Sequence, residues 1–246
     1  MTRLTTCADA EAVAQRAAAE IARRLQAARS ERQVAHIALS GGTTPARTYE
    51  LLGRTPELWQ EADVWFADER CVPPDDEQSN YRLVAGALLQ PAGVAEGRVH
   101  RMEGELAPEV GARRYARTLN ARIAGEPGEG NGAGQGPPVL DVIVLGIGED
   151  GHVASLFPGS STLQDEHHVC LPVHDAPKPP PERITLSLGV LRAARRCVLL
   201  ATGAAKARAV SAMLADPRPA LPASLLRRER LTVIVDDAAA PPAPRG

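Results

Sequence analysis

Asp150 and His152 stand two residues apart in Gly146-Ile-Gly-Glu-Asp-Gly-His152, directly after the clearest strand pattern of the chain, Val139-Leu-Asp-Val-Ile-Val-Leu145. Imidazole is the side chain best matched to moving protons near neutral pH. A neighbouring carboxylate can orient it and stabilise its charged form. The glycines allow the close backbone turns needed to aim both groups into a cleft. The plainer alternative is a histidine that only packs or caps locally. The same letters satisfy GxGxxG, but Pro158 and Gly159 interrupt the helix that a dinucleotide site needs. No second strand ends in an acid about twenty residues on. Nicotinamide binding is a poor reading.

Three other stretches offer donors or charge. Ser40-Gly-Gly-Thr-Thr-Pro45 joins an apolar run to a helical one, so the amides and hydroxyls of Ser40, Gly41, Gly42, Thr43 and Thr44 can cradle an anion at a helix N-terminus. No Gly-Lys-Ser/Thr follows, so it is not a Walker loop; the alternative is an ordinary tight turn. Asp68-Glu69-Arg70 places two acids and a guanidinium at another strand end. Arg70 can meet a carboxylate, a phosphate or a developing oxyanion bidentately, or belong to a surface ion-pair cluster. Of the 28 basic residues only Lys178 and Lys206 are lysine, in a chain rich in Ala, Gly and Pro, as a GC-rich genome would encode. Where a compact ammonium is needed, arginine is no substitute. Lys206 opens a predicted helix after Thr202-Gly203 and is either a point charge for a phosphate or a solvated first-turn lysine.

Other reactive side chains are weaker candidates. Asp165, Glu166, His167, His168 and His174 suggest a metal by composition, yet in an extended 167–173 the adjacent histidines face opposite sides. Cys71 beside Arg70 could be activated, but a bystander is the better reading. Ser155 lacks the GxSxG elbow of a nucleophile.

These groups act together only if the fold brings their loops to one place. Apolar residues at helical spacing predict a helix over Asp9–Ala28, capped by Thr6 or Asp9. Further helices are expected at 46–52, 80–89, 109–123 and 204–214, and strands at 34–39, 62–67, 139–145, 198–201 and 231–235. Apolar strands alternating with helices predict an α/β fold: one doubly wound, mostly parallel, Rossmann-like sheet with helices on both faces. Ligands in such sheets bind beyond the carboxyl ends of the strands, so the loops 40–44, 68–70, 146–152 and 202–206 should converge. Residues 1–237 read as a single domain with a Gly-rich surface insertion at 125–138, and 238–246 as a disordered tail.

Composition excludes several classes. With 28 Lys+Arg against 30 Asp+Glu the 246-residue chain carries a formal charge of −2, so a generic nucleic-acid binder is out. No run approaches the ~18–20 apolar residues of a membrane span. The N-terminus lacks the apolar stretch of a signal peptide. Four cysteines without a CxxC pair argue against a disulfide framework or structural zinc, and the expected compartment is the cytoplasm.

Taken together, the loops resemble the 6-phosphogluconolactonase family. The matching stretches are Leu39-Ser-Gly-Gly-Thr-Thr-Pro45, Trp65-Phe-Ala-Asp-Glu-Arg-Cys-Val-Pro73 with Gln78-Ser-Asn-Tyr81, Gly146 to Gly159, Arg183-Ile-Thr-Leu-Ser-Leu188 and Thr202-Gly-Ala-Ala-Lys206. The resemblance implies a fold similar to glucosamine-6-phosphate deaminases and ribose-5-phosphate isomerases. It also implies hydrolysis of 6-phospho-D-glucono-1,5-lactone in the oxidative pentose phosphate pathway, with no metal and no organic cofactor. The similar deaminases carry a glutamate five residues after the histidine; here that position is Phe157. A glucosamine-6-phosphate deaminase or isomerase-like enzyme is therefore the lesser reading. A sugar-phosphate-binding sensor is the other alternative, disfavoured because the first helix leaves no room for a DNA-binding helix-turn-helix.

On this reading Lys206 and the loop Ser40 to Thr44 hold the phosphate, Arg183 either joins them or is structural, and Asp68 is among the substrate-binding residues. His152 takes a proton from the attacking water, Asp150 orients it, and Arg70 stabilises the oxyanion. The substrate is the expected small-molecule partner. The macromolecular partner this reading allows is glucose-6-phosphate dehydrogenase, which makes the lactone, in a weak association.

Overall fold

The structure is a computed structural model that describes residues 2–123, 136–165 and 167–242. Most of the Gly-rich insertion (125–135), Glu166 and the last four residues thus lie outside the described residues.

Among the described residues, nine strands and six α-helices follow one another as β1 (Arg3–Cys7), α1 (Ala10–Arg32), β2 (Ala35–Leu39), α2 (Thr43–Leu52), β3 (Ala62–Phe66), β4 (Asp68–Arg70), α3 (Asn80–Val84), α4 (Pro108–Ile123), β5 (Val142–Gly146), β6 (Cys170–Val173), β7 (Arg183–Leu186), α5 (Leu188–Ala193), β8 (Cys197–Ala201), α6 (Ala207–Leu214) and β9 (Leu231–Asp236). Six strands form a parallel sheet in the order β1-β9-β8-β5-β2-β3. Every residue of β2, β3, β8 and β9 is buried, as expected of strands covered on both faces. Helix α1 packs along β2, β8 and β9 through Val13, Ala17, Ile21, Leu25 and Ala28. Asp9, and not Thr6, closes its start by accepting the Ala12 N–H at 2.8 Å. Among the described residues no helix is long and apolar enough to cross a membrane.

Strand order fixes where a ligand can enter. From β2 the chain moves outward to β3; from β5 it moves the other way, to β8. The loops that leave the neighbouring strands β2 and β5 therefore part, and a crevice opens between them, as at the switch point of other open α/β sheets.

Part of the architecture departs from the expected single sheet. Residues 68–70, expected as a loop, form β4, the first strand of a second sheet in which β4, β7 and β6 run antiparallel. Ala67 is the joint between the sheets: its N–H donates to Leu39 O at 2.9 Å and its carbonyl accepts from Leu186 N at 2.8 Å. Tyr115 of α4 braces the same corner, its hydroxyl accepting from Phe66 N at 2.7 Å and donating to Phe66 O at 2.9 Å. Helix α4 also packs on β6 and β7. The chain expected to fray from Ala238 is held longer than that. Ala239 is buried, and its N–H donates to the Asp236 carboxylate at 2.8 Å, which fixes the turn after β9.

At the amino end of β3, away from the crevice, the buried Asp63 carboxylate accepts from Arg122 Nε at 2.7 Å and Arg98 Nη1 at 3.1 Å, with His100 Nε2 at 3.4 Å. Burial alone would raise its pKa, but these partners hold it well below the usual carboxylate range.

Candidate active site

The turn after β5 folds back on itself. Gly148 N–H donates to His152 O at 2.9 Å, Gly151 N–H to Gly148 O at 3.0 Å, and Gly151 sits at a φ of +83°, where a side chain would be strained. A Cβ on Gly148 would run into the His152 ring and the Asp150 carboxylate, so this glycine makes the space that both occupy. The ring nitrogen Nδ1 lies 2.6 Å from Asp150 Oδ1. A carboxylate can only accept, so Nδ1 carries the proton and Nε2 is left with a free lone pair. On its other side the imidazole meets the ring of Phe157, centroid to centroid 4.7 Å. Burial pulls the His152 pKa below its ordinary value, against the opposing influence of Asp150 and Asp68. Asp150, which burial would raise, is held below its own ordinary value by the imidazole. The pair is thus a neutral imidazole on an ionised carboxylate, the state a general base requires.

The loop after β2 forms the facing wall. Gly42, at a φ of +110°, turns the chain into α2, which begins at Thr43. Ser40 is locked from two sides: Tyr49 hydroxyl donates to its carbonyl at 2.7 Å, and its Oγ accepts from Gly146 N at 3.3 Å. Thr44 Oγ1 lies 3.1 Å from Thr202 Oγ1, which joins this loop to the one after β8. There Gly203, φ +86°, donates its N–H to the Asp236 carboxylate, and the following 3-10 turn, Ala204–Lys206, delivers Lys206 to the cleft.

The three residues of β4 divide their tasks. Glu69 is buried and accepts from the N–H groups of Arg70, Asn80 and Tyr81 and from Ser79 Oγ, so it is a fixed cap for α3. Asp68 is buried too, with Oδ2 accepting from Ser155 Oγ at 2.7 Å and Oδ1 facing Asn80 Nδ2 at 3.2 Å. Arg70 lines the cleft and spends Nη1 on Gln78 O at 2.6 Å. Asn80 also donates to Asp68 O at 2.9 Å, and it presses its amide against Gly41 so closely that a Cβ there would collide with Asn80 Oδ1. Gly41→Ala is therefore expected to destabilise the protein by ~1–3 kcal/mol in urea unfolding, the usual cost of overpacking. Displacing Asn80 also frees Asp68, so turnover should fall about ten-fold, as for the loss of one charge-assisted hydrogen bond. A variant as stable and active as the parent would show that the loop yields freely.

Of the expected site residues, Ser40, Gly41, Gly42, Thr43, Thr44, Asp68, Arg70, His152, Arg183 and Lys206 all line one cleft of about 290 Å³, and Asp150 stands behind His152. Asn80, Phe157 and Lys178 line it as well. Asn80 and Lys178 are absent from the expected set, although Lys178 is one of the two lysines that composition had set apart. Arg183 commits Nε to Pro180 O at 3.1 Å and Nη2 to Lys178 O at 2.8 Å. The weaker candidates go elsewhere. Burial pushes the Cys71 thiol up to about 12, the opposite of activation, and Ser155 is spent on Asp68. His168 and His174 pair with Asp165 and Glu109.

Four cations, Arg70, Lys178, Arg183 and Lys206, face one lining carboxylate, Asp68, in a chain whose net charge is −2. The cleft is a local positive field suited to a polyanionic small molecule.

A family model described as glucosamine-6-phosphate isomerases/6-phosphogluconolactonase matches residues 8–235. A 6-phosphogluconolactonase of Rattus norvegicus is 37% identical over 187 residues, covering 75% of this chain and 69% of the rat protein. One from Streptomyces coelicolor is 36% identical over 248 residues, covering 96% and 93%. The solved structure of a 6-phosphogluconolactonase from Trypanosoma cruzi superposes with a TM-score of 0.85 at 27% identity, over 97% of this chain and 96% of that one.

Proposed function

Since the chain belongs to the glucosamine-6-phosphate isomerase/6-phosphogluconolactonase family, we propose that it hydrolyses 6-phospho-D-glucono-1,5-lactone to 6-phospho-D-gluconate in the oxidative pentose phosphate pathway. Within the family, the observation that carries this choice is the ring of Phe157 against His152, at the position where the deaminases it resembles have a glutamate. Sugar ring opening and isomerisation need a second acid–base group at that place, and ester hydrolysis does not. Phe157 instead supplies an apolar wall that keeps the imidazole neutral.

The phosphate is held by Lys206 and by the amides and hydroxyls of Ser40 to Thr44 at the start of α2. Asp68, fixed by Ser155 and Asn80, accepts from sugar hydroxyls. His152 Nε2 takes a proton from water as the oxygen attacks the lactone carbonyl carbon. Asp150 stabilises the imidazolium so formed, and Arg70 adds positive charge facing the tetrahedral oxyanion. Collapse of that intermediate breaks the bond to the ring oxygen, which receives the proton from His152. Collapse leaves an open-chain carboxylic acid, which ionises and releases the second proton of the water to solvent, and no bond to the enzyme is formed. A δ-lactone already hydrolyses unaided, so these groups need supply only a modest part of the barrier.

Proton release in weakly buffered solution, with lactone generated by glucose-6-phosphate dehydrogenase, tests the assignment directly. Release no faster than the spontaneous rate would refute it. The pH dependence follows from the His152 environment. The working form is the free base, and burial lowers its pKa, so kcat/KM should rise with pH along a limb centred below the ordinary histidine value of ~6.5. A limb at or above that value would mean that the imidazole is charged in the free enzyme. The same reading puts the protein in the cytoplasm, with the dehydrogenase as supplier of its substrate and as a weak partner, which cosedimentation of the two enzymes tests.

A further inference from the structure

The two lysines of the cleft hang on different parts of it. Lys206 follows the loop after β8, and that loop is joined to the Ser40–Thr44 turn by the Thr44–Thr202 contact. Lys178 lies between β6 and β7, in a Pro-rich strap whose carbonyls at 178 and 180 are gripped by Arg183. The Arg183 guanidinium sits over the Phe157 ring, 5.6 Å from its centroid, and Phe157 is the ring that packs on His152. A continuous line of contacts therefore runs from the Lys178 backbone through Arg183 and Phe157 to the imidazole. On the other wall, a second line runs from Lys206 to the anion-binding turn.

A ligand with a phosphate at one end and a carbonyl that becomes a carboxylate at the other needs a cation at each end. We infer that Lys178 is the specificity-determining cation of the carboxyl end, where its ammonium meets the C1 oxyanion and then the product carboxylate, and that Arg183 is the positioning residue that holds its strap. The naming of the two ligand ends rests on the lactonase reading above. Of the cations around the cleft, Lys178 also exerts the strongest downward pull on His152. Its side chain is exposed, free to close over a bound ligand while its backbone stays fixed. Arg70 shares the field but has one arm already tied to Gln78 O. Lysine at this place, in a chain that otherwise uses arginine almost throughout, fits a need for a compact point charge facing a single oxygen, the C1 oxyanion.

The test is binding, measured by titration calorimetry with two ligands of the same length. One is 6-phosphogluconate, the other glucitol 6-phosphate, which has a hydroxymethyl group in place of the carboxylate. Lys178→Gln should weaken 6-phosphogluconate roughly ten-fold and glucitol 6-phosphate less than two-fold. Lys206→Gln should weaken both alike. Equal weakening of both ligands by Lys178→Gln would make Lys178 a phosphate anchor and overturn the inference, as would no change with either. Because binding needs no turnover, an inactive parent enzyme would sink the lactonase reading while the ligand comparison still judged Lys178.

Discussion

Replacing His152 by alanine is expected to lower kcat by ~10²–10⁴ while leaving KM within a few-fold of the parent value. In the proposed mechanism the imidazole enters only in the transition state, where it carries the proton that water loses, so its removal should spare ground-state contacts. The ring is half-buried between Phe157 and Gly148, and its loss leaves a small gap beside an aromatic wall, so the fold should persist. Spontaneous lactone hydrolysis sets the floor of the measurement, and rates must be read above it. A variant within a few-fold of the parent would remove His152 from the mechanism. Asp150→Asn adds resolution. An amide at 150 can donate as well as accept, so the Nδ1 proton is no longer fixed in place, and a smaller fall in kcat should accompany it.

Lys206→Gln should act on the other kinetic constant. In the proposed assignment Lys206 anchors the phosphate, which lies far from the reacting carbon and is held alike in substrate and transition state, so the anchor contributes uniform binding. Losing one charge-assisted contact of ~1.5–3 kcal/mol corresponds to a ten- to hundred-fold rise in KM, with kcat falling less. Lys206→Arg should rescue only in part, because a planar fork does not reproduce a compact ammonium. Non-phosphorylated gluconolactone is the control, since it should be a poor substrate for the parent and almost indifferent to the substitution. Equal damage toward both lactones would place Lys206 at the chemistry.

The parts legible in the sequence are those whose environment is uniform. β2, β3, β5, β8 and β9 are almost wholly buried and read as mainly apolar runs, interrupted only by His36 in β2, Asp63 in β3 and Thr232 and the terminal Asp236 in β9. β1 escapes notice because it is an edge strand, Arg-Leu-Thr-Thr-Cys, paired on one side only and largely exposed. The second sheet escapes because its strands have three or four residues each, too few for a period to show, and because β6 and β7 are separated by a Pro-rich strap. The site follows the same logic. Loops that trail clear strands, at Ser40, Gly146 and Thr202, could be placed at the sheet's carboxyl edge from sequence. Lys178 could not, since its strap belongs to the hidden sheet. Asn80 could not either, since its task is set by a contact with Gly41 across the cleft. Even the roles inside Asp68-Glu69-Arg70 depend on strand alternation. It turns Glu69 toward the start of α3, and Asp68 and Arg70 toward the cleft.

The contact between Gly41 and Asn80 also bears on how this sequence can change. Any side chain at 41 strikes the amide at 80, and any smaller residue at 80 lets go of Asp68. Each single step away from the present pair is downhill, though two simultaneous steps could be mutually compatible. Positions in such contact do not vary independently. The two residues therefore behave as a single inherited character, and a lineage or a directed search moving by one substitution at a time will hold both in place. Changes in substrate preference on this scaffold are more accessible at Lys178, whose side chain is exposed and whose strap Arg183 holds by the backbone carbonyls at 178 and 180.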